Sequence, residues 1–408
     1  MTGPGFLIVG AGLTGAIAAE TLRADGFDGT ITLLGEEIHR PYERPPLSKG
    51  YLQGEADRES IFVHPERWYV DHHVELCVGT RAAALDLSAR TVSTVDQRQF
   101  GYDKLLLATG SSPRRLTIEG ADLDGIHYLR NVEDSDRIRA GFGQAHHVVI
   151  VGAGWIGLET AAVARSAGLE VTLLEAAELP LARILGSEAA AMFADLHRHH
   201  GVDLRCGVGV TAFTGEGGTV TGVMLDSGDV IAADLVLVGV GITPNVQLAV
   251  DAGLHVDNGI TVDEHLCTSN PDVYAAGDVA NAWRPELGQR LRVEHWANAR
   301  RHGALAAKVM MGGEATDTQP PYFFSDQYDL GMEYTGWASP GGYDRVVFRR
   351  HTAPGEVIVF WLNDNRVLAG MNVNVWDVAD DIERLILSRH EVDPGHLANP
   401  EVPLKELA

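Results

Sequence analysis

Along this chain, short apolar runs end in glycine and give way to longer alanine-rich stretches, and the order repeats. Phe6-Leu7-Ile8-Val9 is a four-residue apolar run with β-branched Ile8 and Val9, which predicts a short buried strand. Residues 16–22 are mostly good helix formers, and residues 30–34 read as a second strand. The order then returns: residues 148–151 predict a strand, 158–164 a helix, and 170–174 a strand that ends in Glu175. Between the two copies, residues 91–100 predict a hairpin and residues 102–107 a buried strand running into Ala108-Thr109-Gly110. Strands are expected again at 208–213, 219–225 and 230–240. A short strand before Ala276-Gly277-Asp278 follows. A polar, proline-bearing stretch at 316–321 reads as a linker, after which aromatic strands at 346–348 and 357–361 suggest an antiparallel sheet and 378–390 a helix.

Glycines fill the turn from strand to helix in both copies with the same spacing. Gly10-x-Gly12-x-x-Gly15 follows the first strand and Gly152-x-Gly154-x-x-Gly157 the later one. In such a unit the first glycine permits a tight turn and the second lets a pyrophosphate approach the backbone. The third lets helix and strand pack closely, and the helix N-terminus offers N–H groups to the phosphates. Two complete units predict an α/β chain with two Rossmann-like dinucleotide-binding domains. The C-terminal region adds an α+β domain with an antiparallel sheet.

Each unit also has an acid near the end of its second strand. Glu36 and Glu175 sit where a carboxylate can accept hydrogen bonds from ribose hydroxyls, although a solvated loop acid is the other reading of Glu36. A carboxylate at Glu175 repels a 2′-phosphate, and its neighbours Ala176, Ala177 and Glu178 supply no arginine, so NADH is favoured over NADPH. The proline-stiffened segment from Arg40 to Lys49 carries Arg44 and Lys49, read either as groups aimed at a cofactor or as a charged surface loop.

Charge and cysteine content narrow the class. A net charge of −24 disfavours non-specific binding to nucleic acid or anionic membranes. No apolar run of about 18 residues offers a membrane span, and the first strand begins too early to leave room for a signal peptide, so a cytoplasmic location is expected. The 3 cysteines, Cys77, Cys206 and Cys267, are far apart, which argues against a metal site or a local redox dithiol.

The two fingerprints, Ala108-Thr109-Gly110 between them and Ala276-Gly277-Asp278 after them resemble the two-dinucleotide flavoprotein disulfide reductase superfamily. Arg44-Pro45-Pro46-Leu47-Ser48-Lys49, Phe324-Ser325-Asp326-Gln327-Tyr328 and Val402-Pro403-Leu404-Lys405-Glu406 are similar to the oxygenase-coupled ferredoxin reductases within it. The resemblance implies a discontinuous FAD-binding domain at 1–111 and 239–315, an NAD-binding domain at 112–238 and a C-terminal domain at 316–408. It implies FAD contacts from Gly10, Gly12, Leu13, Gly15, Glu36, Arg44, Lys49, Ala82, Thr109, Gly110, Arg130, Gly241, Asp278 and Trp296. It implies NADH contacts from Gly152, Gly154, Ile156, Gly157 and Glu175, with Glu294 a candidate for the nicotinamide amide. Lys49 is the candidate cation beside the reduced ring, and Glu159 its partner. His295, next to Trp296, is read as structural or solvent-facing.

Members of the superfamily that exchange disulfides carry a cysteine pair soon after the first acid, where this chain has none. Electrons must therefore leave directly for an outside acceptor. The resemblance implies a [2Fe–2S] ferredoxin serving a cytochrome P450 or a ring-hydroxylating dioxygenase, and a monomer or weak homodimer. A rubredoxin reductase, an NADH-sensing flavoprotein of the apoptosis-inducing-factor type and a simple NADH oxidase are the alternatives. Arg300, Arg301 and Lys308, or Arg345, Arg349 and Arg350, could dock an acidic carrier or be plain solvated faces.

Overall fold

Strand Gly5–Val9 lies at the centre of a five-stranded parallel sheet in the computed structural model, which describes residues 5–407. Thr30–Leu34 and then Val74–Cys77 flank it on one side, Lys104–Leu107 and then Val273–Ala275 on the other. Leu7, Ile8, Leu33, Leu105, Leu106 and Leu107 are buried in it, as expected of a sheet covered on both faces. Helices Leu13–Ala24 and Trp296–Met310 pack together at Gly303, where a Cβ would lie 2.5 Å from the Thr14 carbonyl oxygen. This sheet belongs to one of two compact units, made of the residues up to Arg44, Asp57–Ser112 and Ile242–Gln319. The predicted hairpin at 91–100 is here two strands of a three-stranded antiparallel meander, Ala82–Asp86, Thr91–Thr94 and Gln99–Gly101.

The other unit comprises Pro45–Ala56, Pro113–Gly241 and the chain from Pro320 onward. Its parallel sheet runs in the order Asp203–Cys206, Glu170–Glu175, His147–Val151, Leu235–Val238, Ile126–His127. Helix Trp155–Ser166 follows the central strand. A five-stranded antiparallel sheet of Tyr322–Gln327, Leu330–Gly336, Arg366–Val373, Val357–Asn363 and Arg345–Arg350 completes it. Phe323, Tyr334, Trp361 and Met371 from this sheet share one core with Leu158, Leu185 and Phe193. Trp361 Nε1 donates to the Leu185 carbonyl at 3.0 Å, so the indole is buried with its polar atom satisfied.

The single strand expected at 230–240 is two strands in two sheets. Val230–Ala232 pairs antiparallel with Thr219–Leu225, whereas Leu235–Val238 pairs parallel with His147–Val151. The switch falls at Ala233-Asp234: the Asp234 carboxylate accepts the His146 and His147 N–H groups at 2.8 and 2.9 Å. These hydrogen bonds hold Asp234 below the usual carboxylate range. A run that is apolar on both sides of Asp234 does not reveal which sheet each half joins.

Candidate functional site

The two fingerprints turn in the same way. Gly10 has φ +122° and Gly152 φ +100°, a region that only glycine enters without strain. A Cβ at Gly10 would fall 2.0 Å from the Ala108 carbonyl oxygen, and at Gly152 2.4 Å from that of Gly239. At the third positions, a Cβ would lie 2.1 Å from Gly10 O for Gly15 and 1.9 Å from Gly152 O for Gly157. The chain itself therefore demands the outer glycines. The middle ones are different: a Cβ on Gly12 or Gly154 meets nothing within 4 Å. Each is also the N-cap of its helix, and neither supplies a side-chain cap. Helix Val132–Phe142 shows the contrast, since Asn131 and Asp134 close a full capping box there. Open space beside uncapped helix N–H groups fits the pyrophosphate of a dinucleotide in both units. Leu13 and Ile156 lie at the starts of these helices, and Ile156 is 44% exposed despite its apolar side chain.

The two acids are not equivalent. Val9 pairs with Leu34 and Val151 with Leu174, so Glu175 corresponds in register to Gly35 and not to Glu36. Glu175 Oε2 accepts the Ala153 N–H at 2.7 Å and Oε1 the Ala177 N–H at 2.8 Å. Gly35 sits so close to Ala11 that a Cβ would lie 2.6 Å from the Ala11 Cβ. Glu36, one residue on, is 67% exposed and pairs with Arg81 at 3.4 Å.

Lys49 and Glu159, remote in sequence, form an ion pair. Lys49 Nζ lies 2.8 Å from Glu159 Oε2, with the glutamate side chain only 3% exposed. Burying a carboxylate is costly unless its oxygens are satisfied, and both are. Oε2 also accepts from Ser48 Oγ at 2.5 Å, and Oε1 accepts from Ser325 Oγ at 2.7 Å. The Lys49 ammonium lies 5.5 Å from the Phe324 ring centroid. Pro45 and Pro46 open the 3-10 turn that ends in Ser48, so the stiff segment places both Ser48 and Lys49. Ser48 and Ser325 lie inside motifs that the sequence singled out, yet nothing in their spacing assigned them to Glu159.

In the other unit, Arg44 is held by Glu37 at 2.6 Å and by the Tyr42 hydroxyl at 3.2 Å. Burial opposes the charge on Arg44, but Tyr42, Glu37 and Asp278 outweigh it and hold the guanidinium above its ordinary range. Arg44 and Asp278, separate predictions from sequence, are thus brought together. Asp278 lies in the turn Gly277–Val279. Burial pushes His295 down to about 4, with Asp278 opposing, so this imidazole is neutral near pH 7. Thr109 Oγ1 donates to the Asn245 carbonyl, and the Asn245 side chain donates back to the Thr109 carbonyl, both at 2.8 Å. This pairing of two segments was not visible in the sequence. Gly110 and Gly241 take φ +64° and +101° at their turns. Ala82 begins a meander strand, the Arg130 N–H donates to Asp134, and Trp296 opens its helix with Arg300 over its ring. Glu294 pairs with Arg292.

The three cysteines are free, and burial raises all three thiols above their ordinary range, which makes them poor nucleophiles. Of the basic clusters, Arg300 pairs with Glu43 at 3.7 Å and Lys308 is exposed. Arg349 does not belong to a docking face. It is 3% exposed and donates to the Leu397, Pro400 and Val402 carbonyls, because strand alternation places it inside with Val347.

Doubled fingerprints, each with open space at a helix N-terminus beside a parallel sheet, have the form of two dinucleotide-binding units. The family model described as pyridine nucleotide-disulphide oxidoreductase matches residues 5–303, and that described as reductase C-terminal matches residues 322–408. The chain belongs to the pyridine nucleotide-disulphide oxidoreductase family. It is 37% identical to putidaredoxin reductase CamA of Pseudomonas putida, over 98% of this chain and 96% of that one. It is also 37% identical to the ferredoxin–NAD(+) reductase component of the p-cumate 2,3-dioxygenase system of Pseudomonas putida, over 99% and 98% of the two chains. Among solved structures, it matches the covalent putidaredoxin reductase–putidaredoxin complex with a TM-score of 0.95 and 37% identity, covering 100% of this chain and 98% of that one.

Proposed function

We propose that this chain is an NADH-dependent FAD flavoprotein that passes electrons one at a time to a [2Fe–2S] ferredoxin serving a cytochrome P450 or ring-hydroxylating dioxygenase. The observation that carries the reading is the contrast within each fingerprint: the outer glycines are fixed by the chain's own backbone, and the middle glycine faces open space. The whole-length similarity to reductases of two oxygenase systems supports the choice of acceptor.

FAD would be held at Gly10, Gly12, Leu13 and Gly15, with Glu36, Arg44, Lys49, Ala82, Thr109, Gly110, Arg130, Gly241, Asp278 and Trp296 contributing to its binding. NADH would be held at Gly152, Gly154, Ile156, Gly157 and Glu175. A bound flavin supplies the exchange between two-electron and one-electron transfer. The protein contributes position and field. Lys49 is a cation whose aim is set by Glu159, and it would offset negative charge that gathers on the reduced ring. The carboxylate of Glu175, bonded to its own glycine loop, would meet the ribose 2′-hydroxyl and repel a 2′-phosphate. With the thiols raised and no cysteine near Lys49 in sequence, the chain offers no sulfur relay, and electrons pass straight to the carrier. The free, widely spaced cysteines accord with a reducing cytoplasm, where we place the chain. Among the described residues, no helix is long and apolar enough to cross a membrane.

The test is anaerobic titration of the purified protein with NADH and with NADPH. Bleaching of a bound flavin band by NADH, and far slower bleaching by NADPH, supports the reading. A protein that stays colourless after incubation with FAD refutes it.

A further inference from the structure

Glu159 ends a chain of hydrogen bonds that runs through the interior of its unit. Beyond Ser325, Gln327 Nε2 donates to Ser325 Oγ at 3.1 Å, and His197 Nε2 lies 2.9 Å from Gln327 Oε1. The Tyr328 hydroxyl lies 3.5 Å from His197 Nδ1. Exposure falls from 3% at Glu159 to 1% at Ser325 and Gln327 and 0% at His197, so no solvent relieves an unpaired atom.

Donor and acceptor rules fix every orientation. A carboxylate paired with an ammonium only accepts, so Ser325 gives its proton to Glu159 and must accept from Gln327. The Gln327 amide then turns its NH₂ to Ser325 and its carbonyl to His197. The imidazole therefore carries its proton on Nε2 and leaves Nδ1 to accept from Tyr328. Burial pushes His197 down to about 4 and Tyr328 up to about 12, so near pH 7 the ring is neutral and the phenol keeps its proton. Every donor points toward Glu159.

The far end is held firmly. Gln327 pairs with Leu330 across a two-residue hairpin turn, and Tyr328 takes φ +56° at the turn's first position, where glycine is usual. Its ring stacks on His200 with centroids 3.7 Å apart and planes at 7°. A bulky side chain kept in that backbone region shows a position over-determined by its surroundings.

We propose that His197 is a positioning residue for the Lys49–Glu159 ion pair, acting through Gln327 and Ser325. The chain does not conduct protons, because a side-chain amide relays a proton only through its unfavourable imidic acid form. It transmits orientation instead. With Lys49 and Ser48 on Oε2 and Ser325 on Oε1, the carboxylate is fixed at both oxygens, and the ammonium is aimed with it. The consequence for catalysis rests on the reading that Lys49 tunes the flavin; the coupling of Ser325 to His197 does not.

The experiment compares the holoprotein with S325A, H197F, H197Q and the double variant S325A/H197F. Three quantities are read: the rate of flavin reduction by NADH, the flavin midpoint potential, and the tautomer of His197 by nitrogen NMR of the imidazoles. S325A and H197F are each expected to slow reduction about tenfold and to move the potential in the same direction. The double variant should be no slower than the worse single one. H197Q, whose amide can donate to Gln327, should recover most of the rate. In S325A combined with Tyr328→Phe, which removes the phenol's own hold on Nδ1, Gln327 is free to turn its amide, and His197 should lose its single Nε2–H tautomer. Q327M replaces H197F if that variant does not fold. Additive rate losses, or an unchanged His197 tautomer in S325A/Y328F, overturn the proposal. If K49M leaves rate and potential unchanged, the reading of Lys49 is wrong, and the tautomer result still decides the relay.

Discussion

Glu175 accepts the N–H of Ala153 at 2.7 Å, so the acid that would read a ribose is tied to the glycine loop beside it. Its other oxygen takes the Ala177 N–H at 2.8 Å, and the carboxylate is held between two backbone segments. The acid is thus a brace, and under the proposed function it would be a recognition group as well. Glu175→Ala should weaken NADH binding about tenfold or more and narrow the gap to NADPH, because two charge-assisted bonds disappear with the repelling charge. Steady-state KM values for both nucleotides check this. An unaltered preference for NADH would mean that another residue reads the ribose.

Gly10 and Gly12 should separate folding from ligand binding. Gly10→Ala meets both a positive φ and a 2.0 Å clash with Ala108 O, and a loss of about 3 kcal/mol or more is expected in denaturant unfolding. Gly12 has φ −90° and open space, so Gly12→Ala should cost no more than about 1 kcal/mol, the difference between glycine and alanine at an N-cap. Its flavin content after purification should nevertheless fall well below that of the parent. Equal flavin retention in Gly12→Ala would show that the open space is not a phosphate cradle.

His197 should make stability depend on pH. Its pKa is lowered to about 4 by burial, with the nearby His200 adding to the effect and Gln327 opposing it. The folded state therefore prefers the neutral ring, while the unfolded chain binds a proton near pH 6.5. The contribution is fully present above pH 6.5 and is lost as pH falls toward 4, by about 3 kcal/mol over that window. Urea unfolding at stepped pH should show this decline, and His197→Gln should remove about that much of it, leaving the part carried by His295, which burial also lowers to about 4. A parent protein with constant stability through the window would contradict the assignment.

Arg349 should act on stability and not on electron transfer. Its buried guanidinium holds the chain end through the Leu397, Pro400 and Val402 carbonyls, and burial lowers its pKa. Arg349→Met should cost about 2–4 kcal/mol by leaving those acceptors unpaired. Per folded molecule, ferredoxin reduction should be unchanged, whereas reversing Lys308 should slow it at low salt. Thermal melts and carrier assays on the two variants distinguish these roles.

What the sequence made legible is local and periodic. Both strand–turn–helix units are visible because Gly10, Gly15, Gly152 and Gly157 answer to backbone clashes a few residues away or across one sheet. The C-terminal antiparallel sheet shows in its aromatic strands. The run at 230–240 hides its break because both halves are apolar and only Asp234 marks the change of sheet. The difference between Glu36 and Glu175 follows from a register that spacing alone does not fix to one residue. The partners of Glu159 escaped for another reason: Ser48 lies 111 residues before it and Ser325 166 after it, and no pattern within a segment encodes such a meeting.

The most direct test of the central claim is a double-mixing experiment without oxygen. The holoprotein is reduced by one equivalent of NADH, then mixed with an excess of oxidised [2Fe–2S] ferredoxin while both chromophores are followed. Two ferredoxins should be reduced per NADH, fast enough to support turnover. Reduced protein that holds its electrons in the presence of ferredoxin, and releases them only when oxygen is admitted, would contradict it.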